Sequence, residues 1–199
     1  MPGARLAIYG PRQESGSLCD AVSAFMCPPY FPVTLEALAG EVTLDEVPDG
    51  PTDLRGWAIT AHEVPHVGTT MGFRIEADGV SVAYVPDHQQ PGCGSTTVAD
   101  AVLELCDGVD LLIHDAQFTD TEFIHKHDWG HCTPDYAVEV ARQSGARRLA
   151  LFHHDPSRDD DALDALAATM ARRSGQVGLD EILVAAERQQ VSLRAVPTR

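Results

Sequence analysis

Residues 109–118 read VDLLIHDAQF and contain the pattern from which the fold class is predicted. The stretch starts as a largely apolar run, which predicts a buried strand, and the run leads directly into His114 and Asp115. The same order, an apolar run followed closely by His or Asp, recurs at Asp87 and at His153. Loops at strand ends are where ligand-binding side chains from distant parts of an α/β chain converge. The pattern therefore predicts an α/β fold whose strand ends form a site.

The chain after residue 97 alternates between predicted helices and predicted strands. Thr133 is suited to cap a helix that has Pro134 at its first position and is stopped by Gly145. Acidic residues 159–161 open another helix and basic residues 172–173 close it, so each charge complements the helix dipole. The predicted helices cover residues 97–105, 133–144 and 159–173, and the predicted strands cover residues 109–113, 149–152, 183–185 and 191–193.

The first part of the chain is mainly β by the same criteria. Residues 6–9 form an apolar run that predicts a buried strand, and residues 17–25 have helical spacing. Residues 32–47 are expected to be extended and irregular, whereas residues 77–79 (ADG) carry a tight-turn signal. Without repeats or long linkers, residues 1–199 are expected to form a single domain. Further strands are predicted at residues 57–61, 71–75 and 79–85.

The composition is that of an ordinary globular protein, with 44% hydrophobic and 22% charged residues. Fourteen Lys and Arg against thirty Asp and Glu give a formal charge of −16, which opposes binding to a phosphate backbone. Nucleic acid is therefore a disfavoured partner. No apolar run approaches the length of about 18 residues that a membrane span needs, and the N-terminus lacks the sections of a signal peptide. We expect a cytoplasmic protein without a membrane partner.

Two residue types bear on the chemistry. The five cysteines are odd in number and show no CxxC spacing, so they are expected to be reduced thiols without a catalytic role. The nine histidines, several of them beside Asp-rich turns, are a first indication of metal chemistry.

Five segments occur in an order that is typical of one enzyme family. They are residues 6–11 (LAIYGP), His66 with residues 72–75 (GFRI), residues 84–87 (YVPD), residues 114–118 (HDAQF) with residues 130–133 (GHCT), and residues 151–153 (LFH). The set resembles the metallo-β-lactamase superfamily of metal-dependent hydrolases, in the branch of ribonuclease Z and the phosphonate-pathway cyclic phosphodiesterases. The resemblance covers most of residues 5–165 and implies an αββα sandwich.

The resemblance also implies a set of metal ligands. His66 would bind a first metal ion, His153 would bind a second, and Asp87 would bridge the two. Imidazole nitrogen and carboxylate oxygen suit zinc, and the resemblance implies two zinc ions holding a hydroxide in the complete fold, with manganese or iron as alternatives.

Three further residues are expected to take part in catalysis. His131 comes just before a predicted helix N-terminus, where it would stabilise a phosphoryl oxyanion or protonate the leaving group. His114 and Asp115 resemble a pair that orients a ligand or tunes that histidine.

Each of these assignments has a structural alternative. Asp87 precedes a Pro-Gly turn and would also fit as a turn residue, and His66, close to His62, would also fit as a solvated loop residue. Either His153 or His154 would serve as the ligand, although the register after the strand favours His153. Three other histidines are expected at the surface: His88, His125 and His127.

The family's His-x-His-x-Asp-His motif is absent from this sequence. In the family it precedes the segment similar to residues 6–11, so we expect this chain to be the C-terminal portion of the fold. With few ligands it should bind metal weakly, and it should expose apolar surface where further strands would pack. Three explanations stay open: a start placed too late, a missing half supplied by another chain, and a non-catalytic remnant that acts as a binding module. A homodimer is among the expected assemblies.

The substrate is expected to be small. Ribonuclease Z carries an inserted tRNA-clamping arm before the strand that leads to Asp87, whereas residues 77–79 form a tight turn without room for an arm. Residues 130–133 are similar to the His-Ser-Thr segment of the phosphodiesterases, with Cys132 replacing serine. We therefore expect hydrolysis of a small phosphodiester. Hydrolysis of a lactam, thioester or lactone and a non-enzymatic binding role are the alternatives.

Overall fold

The computed structural model describes residues 3–195, and the chain divides into two compact units. The first unit is Met1–Asp49 and the second is Gly50–Arg199. All the candidate site residues lie in the second unit. That residues 1–199 form one domain stays a prediction.

The first unit is built on a pair of parallel strands. β1 (Arg5–Gly10) pairs with β2 (Glu41–Glu46), and α1 (Leu18–Phe25) lies between them in the chain. The predicted helix is confirmed, and it begins with a capping box in which Ser17 and Asp20 each accept a backbone N–H from the other.

Two predictions for this unit are wrong in part. Residues 6–9 do form a strand, but Leu6 is 57% exposed, because pairing with a single described strand gives little cover. Residues 32–47 are not irregular throughout, since they contain a short 3₁₀ helix at Leu35–Ala37 and the strand β2.

Seven strands form one mixed sheet in the described part of the second unit. They are β3 (Gly50–Leu54), β4 (Trp57–Glu63), β5 (Met71–Ala77), β6 (Val80–Val85), β7 (Leu111–Asp115), β8 (Arg148–Phe152) and β9 (Glu181–Val184). Their order in the sheet follows the chain, with antiparallel pairs from β3 to β6 and parallel pairs from β6 to β9. Consequently β4, β6, β7 and β8 all end at the same edge of the sheet.

The helices of this unit connect and cover the strands. They are α2 (Asp100–Cys106), α3 (Asp120–Lys126), α4 (Pro134–Ser144) and α5 (Asp160–Arg173). The predicted ends of α4 are confirmed, because Thr133 Oγ1 accepts the Tyr136 N–H at its start and Gly145, with φ of 69°, follows its last turn. Asp159 caps α5 as the acidic run predicted.

The core of the second unit lies where α2 and α4 meet the sheet. Leu105 of α2, Val140 of α4 and Leu149 of β8 are fully buried in one apolar cluster. Gly72 of β5 lets α2 come close, because a Cβ at this position would lie 2.7 Å from Leu105 Cδ1.

Most remaining differences from the predictions concern boundaries. The helix expected from residue 97 starts at Asp100, and residues 191–193 are not a strand. Asp78 (φ 52°) and Gly79 (φ 75°) form the expected tight turn between β5 and β6. The cysteines are free. None of the helices in residues 3–195 combines the length and the apolar character needed to cross a bilayer.

Candidate metal centre

Three adjacent strand ends carry the predicted site residues. Asp87 follows β6, Asp115 closes β7 and His153 follows β8. Because these strands are parallel neighbours, with Asp115 opposite Phe152, their carboxyl ends lie side by side. The convergence expected from the sequence is therefore present in the fold.

His66 reaches this edge from the loop after β4. The Gln89 N–H donates to the Pro65 carbonyl at 2.6 Å, and Gln89 Oε1 accepts the Gly130 N–H at 2.7 Å. One glutamine thus joins the loops that carry His66 and His131. Gly130 has φ of 95°, and the His66 ring occupies the place of a Cβ at residue 130, so two separate reasons favour glycine here.

The carboxylate of Asp87 is surrounded by imidazole rings. Asp87 Oδ1 lies 3.8 Å from His66 Nε2 and 3.5 Å from His153 Nε2. The ring of His131 contacts those of the other two histidines, at centroid distances of 5.2 Å from His66 and 4.7 Å from His153. Four side chains from four separate loops thus form one cluster.

Asp115 positions His131 through a hydrogen bond. The Asp115 side chain is fully buried, and its carboxylate accepts His131 Nδ1–H at 2.7 Å. It also accepts the backbone N–H groups of His88 and Gln117, both at 3.0 Å. Since the carboxylate is the acceptor, Nδ1 carries the proton and Nε2 of His131 is the nitrogen that remains for the cluster.

His66 is suited to metal binding by its protonation state. Burial lowers the pKa of His66, and this effect outweighs the raising effect of the neighbouring Asp87 charge. The ring therefore favours the neutral form, which is the form that binds a metal ion.

The two adjacent histidines after β8 point to different partners. His153 lies by Asp87 and has φ of 57°, a left-handed backbone that is uncommon for histidine and costs strain. His154 Nε2 donates to the Ala185 carbonyl at 3.2 Å. The geometry thus brings His153, and not His154, to the cluster.

The prediction that His88 lies at the surface is wrong. His88 is fully buried, and its Nδ1 lies 2.9 Å from Nε2 of the equally buried His114. Burial is the main cause that lowers the pKa of both rings, so both are neutral. The other two histidines predicted at the surface, His125 and His127, are exposed.

His114 acts on the backbone behind the site. Its Nδ1–H donates to the Asp115 carbonyl at 2.7 Å, and the Cys132 thiol donates to the same carbonyl at 3.0 Å. His114 therefore supports the main chain that positions the Asp115 carboxylate. No local pattern predicts the partnership of His114 with His88, because the two residues are 26 positions apart in the chain and meet only in the fold.

The residues of the cluster fit a zinc ion. The ligand atoms of His66, Asp87 and His131 lie within 4.8 Å of one another, and His153 adds a further imidazole beside the same carboxylate. Imidazole nitrogens with a carboxylate oxygen are a typical donor set for zinc, and a catalytic site needs three protein ligands with one open position. His131 was expected at this site as a catalytic residue, but not as one of the possible ligand groups.

Comparison with known proteins identifies the family. Residues 3–154 match the family described as "Beta-lactamase superfamily domain". A ribonuclease Z of Parasynechococcus marenigrum is 31% identical over 164 residues, which cover 73% of this chain and 49% of the relative. The chain thus spans about half the length of that curated relative.

Two solved structures share the fold. A diphosphatase of the PhnP family superposes with a TM-score of 0.64 at 18% identity, over 97% of this chain and 60% of that protein. YhfI from Bacillus subtilis, a metallo-β-lactamase fold protein, superposes with a TM-score of 0.59 at 20% identity, over 91% and 62%. The expected α/β fold of the metallo-β-lactamase type is confirmed. The chain belongs to the β-lactamase superfamily and is similar to its ribonuclease Z branch.

Proposed function

We propose that this chain carries part of the active site of a zinc-dependent phosphodiesterase. The observation that carries the proposal is the Asp87 carboxylate beside His66 and His153, with His131 hydrogen-bonded to the buried Asp115 nearby. In this proposal the first three residues hold the metal. His131 and Asp115 move the proton, and His114 is a positioning residue for Asp115.

The contacts of these residues support their separate roles in the reaction. Zinc bound to this cluster would supply a Lewis acid for a phosphoryl oxygen. His131 keeps its Nδ1–H on Asp115, so Nε2 is the atom that carries the proton needed by the leaving oxygen. The charge of the buried Asp115 stabilises the imidazolium that exists before this transfer. Water forms the new bond to phosphorus and loses a proton to solvent, the bond to the leaving oxygen breaks, and the Nε2 proton of His131 lets the leaving group depart as a neutral alcohol.

A small phosphodiester is the substrate class we propose. The two-residue turn at Asp78 and Gly79 leaves the hairpin of β5 and β6 without an arm, and the formal charge of −16 opposes a polyanion. RNA is the second candidate, since the curated relative is named ribonuclease Z, which argues against the expectation that nucleic acid is disfavoured. Hydrolysis rates for bis(p-nitrophenyl) phosphate and for a structured RNA, measured on the same protein, distinguish the two.

The substitution Asp87→Asn tests the proposal. It keeps the size of the side chain but removes the charge that lies between His66 and His153. We expect hydrolysis of bis(p-nitrophenyl) phosphate by the zinc-loaded protein to fall at least about 100-fold, since even groups that only support metal ligands are worth about 10–100-fold.

The control is His125→Ala, an exposed histidine of α3, which should keep full activity. Unchanged turnover in Asp87→Asn would remove Asp87 from the site. A folded wild-type chain without turnover in zinc, manganese or iron would favour the binding-module alternative.

A further inference from the structure

An exposed tryptophan lies beside the histidine cluster. Trp129 is 59% exposed and is separated from His131 by Gly130 alone. The buried ring of Phe118 contacts both, with centroids 6.4 Å from Trp129 and 5.7 Å from His131. A largely exposed indole and the proposed catalytic histidine thus both contact the ring of Phe118.

Lys126 also contacts the ring of Trp129. It is the only lysine of the chain, and its Nζ lies 5.3 Å from the Trp129 ring and 4.7 Å from the Phe118 ring. Both distances are within the range of about 6 Å for a cation–π contact. Lys126 also donates to Asp155 at 3.0 Å, so its ammonium group is held where it contacts the indole.

A single exposed apolar side chain is ordinary on a protein surface. Trp129 differs because its ring is held by two neighbours while more than half of the residue stays accessible. A ring that is already ordered loses little conformational freedom when a ligand stacks on it. Flat aromatic groups, nucleobases above all, stack on such side chains without needing base-specific hydrogen bonds.

We propose that Trp129 is the stacking surface for a nucleobase, so that the substrate of this site is a nucleotide phosphodiester. The proposal rests on the proposed function for the position of the phosphate at the histidine cluster. The base would then lie against the indole, two residues along the chain from His131. Lys126 and Phe118 are positioning residues that keep the indole in place.

A binding experiment tests the stacking without any turnover. The chain has two tryptophans, so Trp57→Phe leaves Trp129 as the single source of tryptophan fluorescence. We expect AMP to quench this fluorescence and to bind the zinc-loaded protein about tenfold tighter than ribose 5-phosphate, which has the same phosphate and sugar but no base. Equal affinity for the two ligands, or AMP binding without quenching, would overturn the proposal.

A kinetic experiment tests whether stacking on Trp129 also favours a substrate that contains a nucleoside. Thymidine 5′-(p-nitrophenyl phosphate) and methyl p-nitrophenyl phosphate share a leaving group and differ in the nucleoside. We expect Trp129→Ala to lower the ratio of kcat/KM between them about tenfold, and Trp129→Phe to restore most of it. A matched control is Trp57→Ala, which removes a 54% exposed tryptophan at the start of β4, the end of that strand away from His66.

The two experiments separate the two proposals. A fall of kcat/KM in Trp129→Ala that is equal for both substrates would mean a purely structural role for the indole and would overturn the stacking proposal. If neither substrate is hydrolysed, the proposed function fails, and the fluorescence comparison of AMP with ribose 5-phosphate decides the stacking alone.

Discussion

At the scale of single residues, the geometry of the metal centre depends on the absence of a side chain at Gly130. A methyl group at residue 130 would overlap the His66 ring, and the φ of 95° is strained for any residue with a Cβ. We expect Gly130→Ala to displace His66 and to weaken zinc binding at least about tenfold, as loss of support to a ligand does.

The matched control is Gly178→Ala, because Gly178 also has a positive φ (80°) but has no atom within 4 Å of a Cβ. It should lose about 1 kcal/mol of stability from backbone strain and keep its zinc affinity. Zinc titrations of both variants check the prediction, and wild-type affinity in Gly130→Ala would contradict it.

The buried neutral rings of His88 and His114 make stability depend on pH. Their folded pKa values are lowered, whereas in the unfolded chain both titrate near their ordinary value of about 6.5. Below that pH the unfolded state binds protons that the folded state does not, so stability is greatest above it and falls as the pH decreases. The metal-free protein should therefore need less urea to unfold at pH 5 than at pH 7.

His114→Gln isolates one of these rings. The variant is expected to show a smaller loss of stability between pH 7 and pH 5 than the wild type, whatever its stability at pH 7. His125→Ala removes an exposed histidine and should leave the loss of stability between pH 7 and pH 5 unchanged. If the wild type and His114→Gln lose the same stability between pH 7 and pH 5, His114 is protonated in the folded protein.

At the scale of elements, local signals predicted β8, α4 and α5, whereas α3 was not predicted although Thr119 and Glu122 form a capping box at its start. β8 is an apolar run, α4 has its capping threonine and terminal glycine, and α5 has acidic and basic ends, so each is readable without its neighbours. β3 escaped prediction because its sequence GPTDL lacks an apolar pattern and its strand conformation depends on pairing with β4.

The candidate site shows the same division. Asp87 and His153 were chosen because each follows a predicted strand and because the family resemblance implies metal ligands there, and both lie at strand ends on the same edge of the sheet. The burial of His88 was missed, because it depends on a contact with His114, which is 26 positions away in the chain.

The contact between α2 and the sheet gives a prediction at this scale. A Cβ at Gly72 would lie 2.7 Å from Leu105 Cδ1 and 3.1 Å from Val64 Cγ1, inside the packed core. Gly72→Ala should therefore lower the free energy of unfolding by about 1–3 kcal/mol, the usual cost of overpacking. Gly175→Ala, where a Cβ meets nothing within 4 Å, should be close to neutral. Equal urea midpoints for the two variants would contradict the packing described here.

At the scale of the whole molecule, the chain spans only part of its relatives. It covers 49% of the ribonuclease Z from Parasynechococcus marenigrum, yet its second unit brings together three histidines and the carboxylate of Asp87. The expectation of weak metal binding, made because the His-x-His-x-Asp-His motif is absent, stays a prediction.

The most direct test of the metal centre compares two adjacent histidines by calorimetric titration with zinc. His153 lies 3.5 Å from Asp87, whereas His154 donates to a backbone carbonyl. The affinity of the protein for zinc should fall at least about tenfold in His153→Ala and stay within about twofold of the wild type in His154→Ala. Equal affinities in the two variants, or a loss confined to His154→Ala, would contradict the assignment of the metal to this cluster.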